Sequence, residues 1–545
     1  MKTLPINEVA MKVNSTNLVK SLRFSFTNKS TVLGEMMQNA RRAQATRVDF
    51  NFFPETNVLQ VIDDGCGIDS IETLLTVAES GWDVELIAKE NAFGLGFLSA
   101  LFACRHIRVI SKSGSIAVDT DEVLAFKPVT ITPVIAWNGI TTITLCDVAL
   151  DADNIASVLK RLARGFPIPV IFNGENMDRV AALDSGLDFV TSDIGAVYLY
   201  GFQEPIGAQY EFDVFLQGLP IYSSHLYTSK RHIIHLDSAR FHARLPDRDK
   251  LVDEAEVILQ VKTLLAVEIE KRLLSLKAEK TPEEFVRFFD MMRHWHLLKL
   301  LNDVPVVPVE ALAEIGCYPV CDTEIFDEFE QRMDNPLTRA DIEARGVVSI
   351  DDDISQEGAA RYLFAREKDY LIYNGQLDSG HWLQPLVRDL NTEELSIELI
   401  NETHAAQFQG TWRWLSVRFC EAYRINLGDD WVEITEDAFY QGHDYGEETI
   451  VPTGDGSAQV LTQVSSYRNE YDEFQQPIYE ADCDAFVSFI VANTTTDPAQ
   501  AMKRLLPDFC GCPSLYGKTF SVVLDEQGRV GLVAALANNV DALPA

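Results

Sequence analysis

Basic residues are scarce in this chain: 46 Lys and Arg stand against 82 Asp and Glu over 545 residues, a formal net charge of −36. Such a surface repels a phosphate backbone, so direct DNA binding is not expected. Long apolar runs are missing as well. None approaches the roughly twenty residues that cross a bilayer, so no membrane association is expected. Met1-Lys2-Thr3-Leu4-Pro5-Ile6-Asn7-Glu8 lacks the apolar centre of a signal peptide, which makes a cytoplasmic location the expectation. Cysteine is sparse: nine residues, odd in number and scattered, suit a reducing compartment. Cys317-x-x-x-Cys321 and Cys510-Gly-Cys512 do not have the spacing of a zinc ribbon, so buried free thiols and no structural zinc are expected. Internal repeats and low-complexity tracts are lacking from about residue 281 onward.

What is present is a globular composition, 47% hydrophobic, long enough for three or four domains. The acidity is uneven. Residues 281–545 carry about −29 and the first 280 about −7. Trp382, Trp412, Trp414 and Trp431 recur in the acidic half, which is therefore expected to be folded.

Three short segments carry chemistry. Val32, Leu33, Met36, Met37 and Ala40 recur at helical period behind Ser30 and Thr31, either of which can cap, and predict a helix. Glu35 and Asn39, four residues apart, share one face at the edge of that stripe, so a carboxylate and a side-chain carbonyl stand side by side. The pair suits a general base and a metal ligand; alone, it equally suits the surface of an amphipathic helix. Arg47–Phe53 and Val58–Ile62 are β-rich runs joined by Pro54-Glu55-Thr56-Asn57, a hairpin whose second strand ends at Asp63. In Asp63-Asp64-Gly65-Cys66-Gly67 the glycines let a ligand approach the backbone. The Asp63 carboxylate can accept a hydrogen bond from an exocyclic amine such as that of adenine. Many turns and calcium loops share this short pattern. Phe93-Gly94-Leu95-Gly96-Phe97 leads into an apolar stretch ending at Ala103, so its glycines sit at a helix N-terminus, where free amides and the helix dipole receive phosphate. A hinge before a buried helix is the plainer reading. Neither a Walker lysine nor the strand context of a dinucleotide fingerprint accompanies the loop. Taken together, the three segments read as an ATP site.

In these segments the chain resembles the superfamily of gyrase, heat-shock chaperones, histidine kinases and MutL, called GHKL, whose nucleotide domain is the Bergerat fold. Asn28-Lys29-Ser30-Thr31-Val32-Leu33-Gly34-Glu35, Thr76-Val77-Ala78-Glu79-Ser80-Gly81 and Phe93 to Ala100 are similar to the ninety-kilodalton heat-shock chaperones. Ala43-Gln44-Ala45-Thr46-Arg47-Val48 and Asp64-Gly65-Cys66-Gly67-Ile68 are similar to MutL. The resemblance implies that Glu35 is the base for the attacking water, that Asn39 ligates Mg²⁺, and that Asp63 reads adenine beside Gly65 and Gly67. It implies that Phe93, Gly94, Leu95, Gly96 and Phe97 cradle the phosphates and that Thr141, in Gly139-Ile140-Thr141-Thr142, lies near adenine. Asn91 stands where the chaperones usually have a glycine, and Arg41-Arg42 replaces a pair that often contains Asp. Histidine kinases of this fold generally lack the base, so Glu35 implies hydrolysis. Ser80 to Ala92, with Lys89, occupies the place of the relatives' lid.

Further on, a helical pattern at Asn154–Phe166, strands near Val170, Val197–Tyr200 and Tyr210–Leu216, and a long helix from about Asp253 to Lys277 resemble the transducer domain of gyrase and MutL. That resemblance implies one cation reaching back to the γ-phosphate. The run Arg244-Leu245-Pro246-Asp247-Arg248-Asp249-Lys250 supplies the candidates, Lys250 and Arg248 first. The expected architecture is α+β: a Bergerat-fold α/β sandwich over residues 1–150, a transducer-like α+β domain over 151–280, a linker or helical region over 281–350, and an acidic mixed α/β domain over 351–545. Two functions are compatible with it. One is a Mg²⁺-dependent ATPase acting as an ATP-driven clamp on a macromolecular client, chaperone-like or MutL-like, closing by ATP-dependent homodimerisation. The other is a non-hydrolysing nucleotide-binding scaffold whose acidic half binds a basic protein.

Overall fold

The computed structural model describes residues 14–22, 24, 28–77, 82, 96–203, 211–224, 230–244, 248–316, 330–350, 356–435, 439–441, 448–450, 458 and 460–536. Two compact units divide the chain, Met1–Leu300 and Leu301–Ala545. Among the described residues no helix is long and apolar enough to cross a membrane.

In the first unit, β1 (Val48–Phe53) and β2 (Val58–Asp63) form the expected hairpin. They join β3 (His106–Ser111), β4 (Gly114–Asp119), β5 (Thr141–Cys146), β6 (Val170–Phe172) and β7 (Glu175–Asn176) in one sheet of order β4-β3-β5-β2-β1-β6-β7. Alternation decides which face is covered: Val48, Phe50 and Phe52 of β1 and Ile143 and Leu145 of β5 point into the core. The helices Thr31–Arg42, Gly96–Ala103 and Ala152–Ala163 fill that core with Val32, Leu33, Met36, Met37, Leu98, Leu101, Ile155 and Leu159, giving a two-layer sandwich. The sheet does not stop at residue 150. Phe166, Val170 and Phe172 complete its core, and β6 pairs in parallel with β1. The division expected at 150 therefore moves beyond Asn176.

A second sheet follows, β8 (Val190–Ser192), β9 (Gly195–Tyr198), β10 (Phe212–Leu216), β11 (Leu219–Ser223) and β12 (His232–Leu236), in the order β11-β10-β12-β9-β8. Strands β10 and β12 are parallel and buried throughout. The helix Glu254–Glu279 buries Ile258, Val261, Leu265, Ile269, Leu273 and Leu276, a stripe at intervals of three and four. Asp213, on β10 and nearly inaccessible, is held by Arg164 at 2.6 Å, just past the helix Ala152–Ala163, and by Arg231 at 2.8 Å. This pairing ties the second sheet to the end of a helix whose face fills the first.

The second unit mixes helices with several sheets, and one of its sheets crosses the boundary expected near 350. That sheet runs Glu330–Arg332, Leu312–Ile315, Leu371–Tyr373, Val347–Ser349, Val387–Asp389, so Val347–Ser349 is an interior strand with parallel neighbours on both sides. Pro336 marks a turn between the strands Glu330–Arg332 and Leu337–Thr338, a signal that loops and linkers share. Residues 282–294 are helical and belong to the first unit. A long hairpin, Leu395–Gln409 with Trp414–Leu427, packs Cys420, Tyr423 and Ile425 against the sheet and the helix Gln356–Glu367. Its other end packs Phe408, Leu415 and Val417 on the helix Gln476–Thr494. Asp482 of that helix accepts the amides of Thr411 at 2.6 Å and Trp412 at 2.9 Å and the Tyr467 hydroxyl at 3.0 Å, which fixes the hairpin turn.

One buried histidine makes this unit sensitive to acid. His381 is 1% exposed, and its Nδ1 accepts the Leu383 amide at 3.0 Å. Burial lowers its pKa from 6.5 to about 4, against the smaller opposing pull of Asp378. The unfolded chain thus binds a proton between those values that the fold refuses, so stability is complete above about pH 6.5 and falls as pH drops towards 4. By pH 5 this contributes a loss of about 2 kcal/mol. Denaturant midpoints measured at pH 7 and pH 5 should fall further for the wild type than for His381→Gln; parallel curves would remove His381 as the cause.

Candidate functional site

Glu35 lies on the helix Thr31–Arg42 with 5% of its surface exposed. A carboxylate so buried needs a partner. Arg248 supplies it, with Nε 3.1 Å from Glu35 Oε1 and both side chains at or below a tenth exposed. The other oxygen faces Gly96, where a Cβ would run into the carboxylate, so only glycine lets the start of the helix Gly96–Ala103 come this close. Arg248 itself takes a positive φ of 53°.

A second contact reaches the same helix. Gln38, fully buried, donates Nε2 to the Gln217 carbonyl at 3.0 Å and accepts Arg41 Nε at 2.8 Å. Gln217 and Gly218 form the tight turn between β10 and β11, both with positive φ. The Gln217 side chain in turn accepts Arg248 Nη1 at 3.5 Å. Lys250 is exposed, and among the described residues no ion pair carries it to Glu35. Asn39, one turn beyond Glu35, is partly exposed.

The two aspartates at the end of β2 have different work. Asp64 accepts the amides of Thr46 at 2.7 Å and Arg47 at 3.3 Å and the Thr46 hydroxyl. Burial opposes its ionisation, but these hydrogen bonds prevail and hold its pKa below the usual carboxylate value. Asp63 accepts only the Gly65 amide, at 3.0 Å, among the described residues. Burial pushes its pKa up, the Asp64 charge adds to the rise, and the Gly65 amide opposes both. Asp63 pairs in register with Thr141 of β5. The buried Thr141 hydroxyl meets that of Ser111 at 3.0 Å, and Ser111 Oγ accepts the Ile68 amide at 2.9 Å. Gly67 has a φ of 75°, and a Cβ on it would lie 2.8 Å from the Trp137 ring and 3.2 Å from Ser111 Oγ. Trp137 donates Nε1–H to the Ile140 carbonyl at 2.7 Å.

Of the residues expected in the site, Glu35 and Gly96 touch, Arg248 joins them, and Asp63, Gly65, Gly67 and Thr141 cluster at the ends of β2 and β5. Phe97 is buried in the core cluster of the first sheet. Phe93, Gly94, Leu95, Lys89 and Asn91 lie outside the described residues, as do Cys317, Cys321 and Asp351 to Asp353. Cys510 and Cys512 are exposed, which corrects the expectation of buried thiols: the turn that carries them has no core over it. Among the described residues no three His, Cys, Asp or Glu side chains cluster around a metal position. Ser111, Trp137, Gln38 and Gln217 escaped the sequence reading. Only Trp137 left a trace there, an aromatic in the turn-like Trp137-Asn138-Gly139 four residues before Thr141.

Residues 27–125 match the family model of histidine kinase-, DNA gyrase B- and HSP90-like ATPases. The N-terminal part of the chain is therefore of GHKL type, and ATP binding is the property this supports. Thr141, Trp137, Gln217 and Arg248 lie beyond the matched segment. No curated protein matches the chain.

The pairing of Glu35 with Arg248 is open to a stability test. Arg248→Ala leaves a buried carboxylate without its cation and should cost about 3–5 kcal/mol. Glu35→Gln added to it should recover part of that loss. Additive effects in the four-way comparison by denaturant unfolding would mean that the two side chains are not coupled.

Proposed function

We propose that this protein is a Mg²⁺-dependent ATPase in which ATP drives a conformational clamp on a macromolecular client, in the manner of the heat-shock chaperones or MutL. The observation that carries the reading is the reach of Arg248, from beyond the second sheet, to Glu35 inside the segment of GHKL type. A cation at that point can meet a γ-phosphate, and a carboxylate beside it can meet the attacking water.

In this reading the Asp63 carboxylate accepts the adenine amine, with the Thr141 and Ser111 hydroxyls beneath the ring edge. The Trp137 indole, lying against Gly67, gives the base an aromatic wall. The amides at the start of the helix Gly96–Ala103 face the phosphates. Asn39 and phosphate oxygens would hold Mg²⁺, which neutralises phosphate charge. Arg248 moves from Glu35 to the γ-phosphate, and Glu35 takes the proton of the water whose oxygen bonds to phosphorus as the bond to ADP breaks. Homodimerisation on ATP binding would close the clamp. A scaffold that binds nucleotide without turnover is the alternative.

Two substitutions separate these roles. Glu35→Ala should keep affinity for a non-hydrolysable analogue and lose about 10²–10⁴ in turnover. A wild type without steady-state ATPase, alone or with client, would leave only the scaffold. Trp137→Ala should weaken ATP binding by roughly 5- to 150-fold, the span of a base–aromatic stack, and leave inorganic triphosphate binding unchanged. Calorimetry decides it: equal losses for both ligands, or tighter ATP binding, would take the indole out of the base site.

A further inference from the structure

A cavity of about 550 Å³ is lined by residues of the second unit. Its size falls in the range of roughly 300–1,000 Å³ that small-molecule sites occupy. Its place in the sheet is informative too. From Val347–Ser349 the chain passes through the helix Gln356–Glu367 to Leu371–Tyr373 on one side, then crosses to Val387–Asp389 on the other. In open sheets, ligands bind at the carboxyl ends of parallel strands where the chain reverses its direction of travel in this way. Ser349 and Tyr373, the last residues of the first two strands, line the cavity. Register puts both on the same face as Val387 and opposite Val348 and Ile372, which share a core with the helix.

Three polar groups in the lining have hydrogen-bonding capacity to spare. The Tyr373 hydroxyl accepts the Leu377 amide at 3.1 Å and Gln384 Nε2 at 2.8 Å, so its own proton is left to give. Gln384 Nε2 also donates to the Asp378 carbonyl at 3.2 Å. A carbonyl only accepts, so that end of the amide is nitrogen and Oε1 remains as an acceptor. Ser349 makes no hydrogen bond among the described residues and can give or take. Glu330 adds a carboxylate, Ile350 and Val387 add apolar surface, and no described residue of the lining is basic. Ile350 is followed in the chain by Asp351, Asp352 and Asp353. A phosphate would meet repulsion here and no cation. An ammonium group only donates and would leave the Tyr373 proton unused. Neighbouring hydroxyls both give and take, and a carboxylate holds ribose hydroxyls in this manner in dinucleotide-binding sheets.

We propose that this cavity binds a neutral ligand with vicinal hydroxyls, an unphosphorylated nucleoside or a sugar. Glu330 and Gln384 Oε1 accept from the hydroxyls, Tyr373 donates to one of them, and Ile350 and Val387 lie against the ring. The site belongs to the unit that the GHKL match does not reach, so it does not rest on the ATP reading.

The test is calorimetry on the full chain with two probes, uridine and methyl glucoside, each beside an analogue lacking the vicinal hydroxyls and beside its phosphate ester. One probe should bind with a Kd below about 1 mM, and which one does so tells nucleoside from sugar. Its deoxygenated analogue and its phosphate ester should each bind at least about 10-fold more weakly. Glu330→Gln should weaken binding by about 10-fold or more, and Ser349→Ala by about 3- to 10-fold. Ser349→Ala breaks no hydrogen bond among the described residues, so its unfolding midpoint should stay unchanged and its loss of affinity reports the site itself. Excess non-hydrolysable ATP analogue should leave the probe bound. Binding of neither probe, equal binding of the analogue without hydroxyls or of the phosphate ester, full affinity in both variants, or displacement by the ATP analogue would each overturn the assignment.

Discussion

Burying the Glu35 carboxylate is the constraint around which the first unit is arranged. An ionised group at 5% exposure is costly unless a cation lies beside it. Among its described residues the matched segment pairs no cation with it. The cation is Arg248, more than two hundred residues on, so the chain must build the second sheet and return before the helix Thr31–Arg42 is satisfied. Breaking such a pair costs about 3–5 kcal/mol, against about 1 kcal/mol for a neutral hydrogen bond like that of Gln38 to Gln217. The ion pair therefore dominates the contact, and the Gln217-Gly218 turn sets its geometry.

At the other end of the site the same logic separates two adjacent carboxylates. Asp64 spends its acceptors on Thr46 and Arg47, which fastens the chain after the helix to the end of β2. Asp63 gives one oxygen to Gly65 and is left with acceptor capacity and a raised pKa. A group in that condition gains most from a neutral donor such as an exocyclic amine, because the hydrogen bond offsets burial without another charge.

The parts of the site written in contiguous residues were legible. Helical period gave the helix of Glu35, alternation and a turn gave the hairpin ending at Asp63, and an apolar stretch after Gly96 gave the helix found there. The long helix from Glu254 was legible for the same reason. What depends on strands meeting across the sheet was not. Ser111 became relevant only because β3 and β5 are neighbours, and Trp137 only because its loop folds back on Gly67. Arg248 and Lys250 could not be separated by sequence, since both are cations in one charged run; the left-handed backbone of Arg248 turned one inwards. The boundaries at 150 and 350 misled because strands β6 and Val347–Ser349 are short, and a short strand after a turn looks the same whether it opens a new domain or completes an old sheet.

In the proposed reading, one guanidinium faces two anions. Without nucleotide it has Glu35 alone; with ATP, a γ-phosphate of higher charge competes for it, and the phosphate prevails if Arg248 can move towards it. Arg248 is not free to move by itself. Its side chain touches Gln217, whose carbonyl binds the helix of Glu35, and its backbone leads within six residues into the helix Glu254–Glu279 through Asp253, another residue with positive φ. A shift of the guanidinium is therefore passed to a 26-residue helix at one end and to the turn at the other. The rigid apolar stripe of that helix carries it as a body rather than absorbing it locally. In this reading a nucleotide would move a large element through a single charge, provided that the charge was first held by Glu35, the carboxylate it must release.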